Sequence, residues 1–483
     1  MIWIIALVFL LYIRTLGYHY CIDDYVERDG YLYDIPMEGP SHKFWSMKPS
    51  PWYRLFMIAM HCVNVSIIYM LWGWAPALLF AVHPMAVWGV AWVTGNYYAT
   101  TTYFILISYY ILHTFPNIWG TLVAMPIYAA ALNSTITAIG FPFILGTMGV
   151  PLFIPLWLFL RGKRFMTGMA IRRKIAPKPV VDTSFTWRRL VLMTKVMARY
   201  IYFVFVPNKI GLFTGWGENI RKEQDAYDKM HEVNGEFWSS LALCIGVLLM
   251  GFIINPFATV WFFGLMAVHS QWGLQGQFIA QRYLYLPMIG LCVIVGTILQ
   301  QYPYALTAVV TFLVIRTHLF IPAWRHQEAL NMNDIENFPE NPRVWVNASQ
   351  YYLTQYNGRF SSLKRFHEVG SWLHRALSMG DSYPVHVNLC AWYRSCRQYD
   401  KSIEHIDKAI ECIGKDNPFT PTLQKQKEEL IKQGELGCSL SRLKKGRDNG
   451  QRKEKGSTEG IEHNGDSEYQ GREERASECV AGV

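Results

Sequence analysis

Long apolar runs fill residues 1–321, whereas residues 322–483 have the mixed pattern of a water-soluble chain. A membrane helix needs about 20 apolar residues to cross about 30 Å of hydrocarbon. The runs predict about eleven membrane-spanning helices, over residues 1–16, 55–72, 75–92, 97–114, 117–132, 138–160, 188–206, 238–254, 257–275, 284–299 and 303–321. Several runs are short, so one or two are candidates for re-entrant segments. The first lacks a basic leading region and a small-residue cleavage site, so we expect an uncleaved anchor.

The pattern changes to paired amphipathic helices in residues 385–411. Apolar and small residues line one face of each predicted helix: Leu389, Trp392 and Tyr393, then Ser402, Ile406, Ala409 and Ile410. This resembles a tetratricopeptide repeat, in which small residues let paired helices approach. The stretch from Trp345 to Leu377 resembles a degenerate repeat, and a generic helical hairpin domain is the alternative.

These patterns together predict an all-α chain with three parts. Residues 1–321 form a polytopic membrane helical bundle, and residues 322–435 form a short domain of tetratricopeptide-like helical repeats. Residues 436–483 form a charged tail with almost no apolar content, which we expect to be disordered.

Composition supports a membrane protein, and the placement of charge predicts its orientation. Only 17% of the residues are charged, against about 25% in soluble domains. Much of the net charge of +9 comes from the loop between Arg161 and Arg189, so we expect no nucleic-acid partner. The positive-inside rule puts this loop in the cytoplasm. Six spans precede it and five follow it, so the N-terminus should be cytoplasmic and the repeats lumenal or periplasmic.

Nine cysteines are scattered along the chain, and no Cys/His spacing is typical of a zinc site. Cys390 and Cys396 lie six residues apart in the domain expected outside, where a disulfide is one alternative. The sequence therefore predicts no metal centre.

Two adjacent acids, Asp23 and Asp24, follow the first predicted span on its outer side. Adjacent carboxylates can divide roles, one accepting a proton and the other orienting the substrate. A solvated surface loop is the alternative interpretation.

Polar residues also occur inside predicted spans, where they tend to face a cavity. His83 precedes the helix-breaking Pro84, with a kinked packing helix as the alternative. Lys195 and Arg199 share one helix face, which suits an anionic partner such as a lipid-linked phosphate, unless they snorkel to a surface. Arg282, beside Tyr283 and Tyr285, is suited to a phosphate and a sugar ring, unless the segment is an interfacial aromatic belt.

Together these segments resemble the transmembrane and tetratricopeptide-repeat O-mannosyltransferases and their bacterial relatives. The matching pieces occur in the family's order over about residues 1–415: Asp23-Asp24, His61 with Asn64, LLFAVHP (78–84) followed by AWVTG (91–95), RYLYLP (282–287), and Trp324-Arg325. Each motif alone is weak, but the ordered set is fairly specific.

The resemblance implies a membrane glycosyltransferase of the C-superfamily fold. Such an enzyme transfers a sugar, with mannose favoured, from a polyprenyl or dolichyl phosphate to a protein Ser/Thr or another hydroxyl acceptor outside the cytoplasm. Asp23, with Asp24 second, would be the base, and Lys195, Arg199 or Arg282 would stabilise the departing phosphate. His83, Asn96 and Tyr285 would help to bind the donor. The scheme needs no cofactor beyond the lipid-linked donor and does not exclude a divalent metal ion.

The sequence departs from the family at four charged positions. Trp88 stands where relatives usually carry Glu, Gly95-Asn96-Tyr97-Tyr98 where they carry Gly-Arg-x-Asp, and Gln281 where Glu is common. These changes leave open a catalytically inactive membrane scaffold that recruits a protein partner through its repeats. A transporter or lipid flippase is a third alternative, although the spans show no obvious inverted repeat. The membrane is either the endoplasmic reticulum or a bacterial inner membrane.

Overall fold

A computed structural model describes residues 1–19, 21, 31–32, 35–36, 51–145, 186–212, 232–270, 279–355, 363–415, 417 and 419–435. Within these ranges the regular structure is helical, as predicted, apart from one short antiparallel pair of strands, β1 (Tyr31–Leu32) and β2 (Ile35–Pro36). The chain divides into two compact units between Val344 and Trp345. The predicted tail at 436–483 and the basic loop up to residue 185 lie outside the described residues.

The described part of the first unit consists of helices. Its α-helices are α1 (Ile2–Tyr12), α2 (Pro51–Trp72), α3 (Trp74–Val82), α4 (Val87–Val90), α5 (Asn96–Thr114), α6 (Ile118–Ser134), α7 (Phe141–Ile144), α8 (Trp187–Phe205), α9 (Gly235–Ile254), α10 (Pro256–Ala267), α11 (Met288–Leu299), α12 (Pro303–Phe320) and α13 (Gln327–Asn337). In the part of the unit that the structure describes, five 3₁₀ helices connect or extend them, at Ile13–Gly17, Pro84–Ala86, Ile136–Gly140, Gln281–Leu284 and Ile321–Arg325.

Among the described residues of this unit, three helices are long and apolar enough to cross a membrane: α2, α9, and α12 with its 3₁₀ extension to Arg325. Four shorter apolar helices accompany them, at Ile2–Gly17, Ile118–Leu132, Pro256–Ala267 and Met288–Leu299. The described residues thus confirm the predicted all-α fold class and contain candidate membrane spans. The number of eleven spans stays a prediction.

The outer surface of α9 is apolar. Trp238 is 60% exposed, Leu249 59% and Ile253 79%. A surface helix of a water-soluble protein turns a polar face outward, whereas a helix that is apolar all round belongs in a core or a bilayer. Because these side chains point away from the protein, lipid is the solvent that suits them.

Helices of the first unit approach closely where a glycine removes a side chain. A Cβ on Gly296 of α11 would lie 2.6 Å from the backbone nitrogen of Pro76 in α3. A Cβ on Gly89 would lie 2.6 Å from the ring of Tyr285. Such close backbone packing is typical of helices in membranes, where small residues line the interfaces.

The second unit is a set of amphipathic helices. After α14 (Pro342–Gln355), which crosses the division, come α15 (Leu363–Met379), α16 (Tyr383–Ser395), α17 (Tyr399–Ile413) and a helix over residues 420–435. Leu389, Trp392, Ile406 and Ala409 are buried, as their predicted helix faces require. A Cβ on Gly370 would meet the Trp392 ring at 2.3 Å, so this glycine allows α15 and α16 to pack.

Cys390 and Cys396 are thiols in the structure, so the alternative of a disulfide between them is not realised. Cys390 is buried at the contact of α16 with α17, and its Sγ lies 3.2 Å from Oγ of Ser402. It therefore serves as a small packing residue of the helix pair.

Replacing Ile245, at the centre of α9, with Asp should reduce membrane insertion of this helix. A carboxylate at a helix centre costs about 2.5–3.5 kcal/mol on insertion scales. Insertion of α9 into microsomal membranes, measured by glycosylation of engineered flanking acceptor sites, should fall clearly. Ser239→Asp, on the exposed first turn of α9, is the matched control. Equal insertion of both variants would argue against α9 as a span.

Candidate functional site

The chain that leads to Asp23 and Asp24 is anchored at both of its last described residues, His19 and Cys21. The backbone nitrogen of His19 donates to the carbonyl of Arg325 at 2.9 Å. The Sγ atom of Cys21 lies 3.5 Å from the carbonyl oxygen of Trp324. Asp23 and Asp24 themselves lie outside the described residues, so their predicted role is not tested by position.

A buried arginine holds the backbone of this segment at His19. Arg54 of α2 donates from one guanidinium nitrogen to the carbonyl of His19 at 2.6 Å and from the other to the carbonyl of Ala91 at 2.8 Å. Buried charges require such hydrogen-bond partners, because an uncompensated charge away from water is costly. The residue thus joins the chain after α1 to the AWVTG segment.

Three tryptophans lie directly beside the anchor, and we call Trp88, Trp92 and Trp324 the tryptophan cluster. Their ring centroids lie 5.1 Å apart for Trp88–Trp324, 5.8 Å for Trp92–Trp324 and 6.3 Å for Trp88–Trp92. All three are buried, and none of their indole nitrogens has an acceptor among the described residues. Buried donors without an acceptor are rare in native proteins and call for a water, an ion or a ligand group.

A second cluster continues from Trp92 and contains Tyr97, Tyr98, His269, Arg282 and Tyr283, which we call the aromatic–arginine cluster. The Trp92 ring contacts Tyr97 at 6.4 Å and Tyr98 at 6.5 Å. Tyr98 in turn lies edge-on to Tyr283 at 6.5 Å, and His269 stacks on Tyr283 at 4.1 Å. The guanidinium carbon of Arg282 lies 5.1 Å from the centre of the Tyr283 ring.

One side of the aromatic–arginine cluster is reachable from outside the protein. Tyr97, Arg282 and Tyr283 are half-buried, whereas Tyr98 and His269 are buried. His269 is held in place by Thr137, whose hydroxyl lies 2.7 Å from Nε2 of the imidazole. A fixed aromatic wall beside a half-buried guanidinium can bind a flat apolar face and an anionic group at the same time.

Tyr285 has a different place, although it is only three residues from Arg282. It is fully buried, and its hydroxyl lies 2.7 Å from Nδ1 of His61 and 3.5 Å from the amide nitrogen of Asn64. With Nε2 of His61 donating to the carbonyl of Ala81 at 3.3 Å, Nδ1 is left to accept from the tyrosine. The structure therefore brings together the motif residues His61, Asn64 and Tyr285, but as a hydrogen-bonded core.

His83 is likewise engaged by the backbone. Its Nδ1 accepts from the backbone nitrogen of Met85 at 3.1 Å, which caps the 3₁₀ helix Pro84–Ala86. Its Nε2 then carries the proton and donates to the carbonyl of Val204 on α8 at 3.0 Å. Both ring nitrogens hold the fold together at this point, and a donor-binding role for His83 stays a prediction.

Lys195 and Arg199 share one face of α8, as predicted, and both point towards Glu236 of α9. The Lys195 ammonium lies 3.7 Å from this carboxylate and the Arg199 guanidinium 2.7 Å. Lys195 is fully buried, whereas Arg199 and Glu236 are partly exposed. A carboxylate that pairs with both cations offsets part of the positive charge expected to face a lipid phosphate.

The residues that depart from the family pattern are buried and make specific contacts in the first unit. Gln281 is buried and uses both ends of its amide, since Oε1 accepts from Gly211 at 3.1 Å and Nε2 donates to the carbonyl of Lys209 at 2.8 Å. A glutamate could accept but not donate here. Asn96 is buried and donates to the Tyr53 hydroxyl. Trp88 belongs to the tryptophan cluster.

Sequence reasoning missed Arg54, His269 and the role of Trp324 within the site. Arg54 precedes the predicted second span, where a basic residue usually marks the membrane surface. His269 was the stronger signal, because it interrupts an apolar run near the end of a predicted span. The Trp324-Arg325 motif does not predict the contacts of Trp324 with Trp88 and Trp92.

The chain matches no known family model, no characterised protein and no solved structure. The resemblance to the O-mannosyltransferases therefore depends on the ordered motifs alone. The geometry of the two clusters is an independent basis for a functional proposal.

Replacing Gln281 with Glu should destabilise the protein. The change removes the donor to Lys209 and buries a carboxylate, and an unsatisfied buried group costs about 1–3 kcal/mol, more when charged. The thermal midpoint of the purified protein in detergent should fall, while Gln301→Glu, at an exposed position, should leave it unchanged. A midpoint equal to that of the wild type would show that the amide bridge is not needed.

Proposed function

We propose that this chain is a membrane glycosyltransferase that moves a sugar, with mannose favoured, from a polyprenyl-phosphate donor to a hydroxyl acceptor outside the cytoplasm. The acceptor is a protein Ser or Thr, or a hydroxyl of another glycan. The proposal includes the C-superfamily fold, about eleven spans, and tetratricopeptide-like repeats that present the acceptor or a partner protein.

One observation carries the proposal: the tryptophan cluster joins the chain that leads to Asp23 to the aromatic–arginine cluster. Cys21 contacts the carbonyl of Trp324, Trp324 stacks on Trp92 at 5.8 Å, and Trp92 contacts Tyr98 beside Arg282. This reaction needs a proton acceptor beside the attacking hydroxyl and a phosphate-binding cation beside the leaving group, on opposite sides of the anomeric carbon. Aromatic rings between them suit the apolar faces of a pyranose.

The predicted reaction is a single displacement. The acceptor oxygen attacks the anomeric carbon of the sugar, and the bond from that carbon to the phosphate oxygen breaks. Asp23 takes the proton of the acceptor hydroxyl, and Asp24 is the second candidate for this role. Arg282 stabilises the negative charge on the departing polyprenyl phosphate, and attack from the opposite side inverts the anomeric configuration.

The three indole N–H groups of the tryptophan cluster support an oxygen-rich occupant. Indole nitrogen is a donor only, so each group matches a sugar hydroxyl, a carboxylate or a phosphate oxygen. Such an occupant would also remove the cost of leaving three buried donors without acceptors. Fixed donors of this kind need no reorganisation as charge develops in the reaction.

The proposed orientation follows from charge and span count. The N-terminus lies in the cytoplasm, and the repeats lie in the lumen of the endoplasmic reticulum or in a bacterial periplasm, on the side of Asp23. The reaction then takes place where lipid-linked sugars are displayed outside the cytoplasm. Membrane lipid is the solvent of the first unit, and no nucleic acid takes part.

A non-catalytic scaffold is the second candidate, and the Glu236 ion pairs favour it. The predicted donor-binding cations Lys195 and Arg199 both pair with a protein carboxylate. A scaffold would bind a partner protein through residues 345–435 and would behave identically after replacement of Asp23. The same variants therefore distinguish the two functions.

Asp23→Asn should abolish sugar transfer, because an amide cannot accept the acceptor proton. Loss of a general base typically lowers the rate by about 10²–10⁴-fold. The measurement is transfer from a radiolabelled polyprenyl-phosphate mannose to an acceptor by purified protein in liposomes. Asp400→Asn, on the exposed start of α17, is the matched control. Full activity of Asp23→Asn would contradict the assigned base.

Arg282→Gln should lower the transfer rate by about 10²–10³-fold, since it removes the charge that stabilises the leaving phosphate. The loss should appear in the rate at saturating acceptor as well as in donor affinity. Arg394→Gln, at an exposed position of the second unit, should be as active as the wild type. Equal rates for both variants would exclude Arg282 from the reaction.

A further inference from the structure

Three side chains with metal-binding atoms meet in the second unit, far along the chain from the proposed reaction. Asp381 lies in the turn between α15 and α16, His386 on α16 and Cys412 on α17. One ligand atom of each lies within 4.8 Å of those of the other two. The residues are too far apart in sequence to form a recognisable spacing, which is why sequence analysis found no such site.

The distances suit a tetrahedral ion after a small adjustment. Zinc binds sulfur at about 2.3 Å and nitrogen or oxygen at about 2.0–2.2 Å, so neighbouring ligand atoms lie about 3.3–3.8 Å apart. Cys412 Sγ is 3.9 Å from Asp381 Oδ1. Nε2 of His386 already contacts the same carboxylate oxygen, so an ion would enter by separating these two atoms.

His405 supplies the supporting contact that a metal-bound histidine usually has. Its Nδ1 lies 2.9 Å from Nδ1 of His386, and its ring stacks on Tyr393 at 5.3 Å. With a metal on Nε2 of His386, the proton on Nδ1 of His386 would be donated to His405. Metal ligands are commonly oriented by such a second hydrogen bond.

We propose that Asp381, His386 and Cys412 bind one Zn²⁺ ion, with water as the fourth ligand. The ligand set mixes oxygen, nitrogen and thiolate sulfur, which is typical of zinc and not of calcium or magnesium. Binding releases the thiol proton of Cys412 to solvent. The exposed side of Asp381 leaves a path for the ion and for the water, while the buried ring of His386 fixes the geometry.

The ion would tie α17 to α16 and to the turn before α16. A bound metal that is absent from the unfolded state stabilises the folded state by mass action. The repeat domain therefore gains stability in a zinc-containing compartment, independently of whether the first unit transfers sugar.

The test uses the full-length protein in detergent, stripped with a chelator and titrated with Co²⁺ as a spectroscopic substitute for zinc. The wild type should bind one equivalent with a near-ultraviolet thiolate-to-cobalt band, which added Zn²⁺ abolishes. Cys412→Ser should lose the band. Cys396→Ser, a matched half-buried thiol of the same unit, should keep it.

A further variant separates a metal site from a packing role of the same residues. His405→Phe keeps an aromatic ring next to Tyr393 but removes the acceptor, and it should weaken Co²⁺ binding by about 10–100-fold. His367→Gln, an exposed histidine of α15, should bind Co²⁺ as the wild type does. A wild type without the band, or a band that persists in Cys412→Ser, would overturn the proposal and leave a hydrogen-bonded Asp381–His386–His405 chain.

Discussion

The buried guanidinium of Arg54 is the interaction on which the candidate site depends. It holds the carbonyl of His19, just after the first helical segment, and the carbonyl of Ala91, the first residue of the AWVTG segment. Two segments that are 72 residues apart in sequence are thereby fixed to one helix. Removing one partner of such a contact leaves a buried polar group unsatisfied, which typically costs about 1–3 kcal/mol, and more for a charged group. The segment after α1 and the segment that carries Trp92 are both held by this one side chain.

The contacts arrange the residues of the site in a spatial succession that the separate sequence motifs do not reveal. Arg54 fixes the entry of the acidic segment, Trp324 and Trp92 continue from it, and Tyr98 and Tyr283 lead to Arg282. Hydrogen-bond donors are concentrated at the tryptophan cluster, and the cation lies at the other end. A sugar phosphate has the same polarity, with hydroxyl groups at one end and a charged phosphate at the other. The proposed function depends on this match between the polarity of the site and that of a sugar phosphate.

Part of this arrangement could be predicted from the sequence. Apolar runs predicted helices such as α2 and α9, because a span requires a continuous apolar stretch. The burial of Leu389, Trp392, Ile406 and Ala409 followed from helical periodicity. The roles of His83 and Tyr285 did not, because their partners, Val204 and His61, are distant in sequence. The contact of Lys195 and Arg199 with Glu236 was missed for the same reason. Gln281 shows a further limit of sequence-based prediction. Its sequence position indicates only that a neutral amide replaces the family's glutamate, whereas the structure shows that the amide both accepts and donates a hydrogen bond.

The most direct measurement of the central claim is photocrosslinking of the purified protein with a polyprenyl-phosphate analogue that carries a diazirine next to the phosphate. The account predicts labelling of the peptides that contain Tyr97–Tyr98 and Arg282–Tyr283, and competition by unlabelled polyprenyl-phosphate sugar. Labelling confined to the outward apolar face of α9, unaffected by competitor, would contradict it.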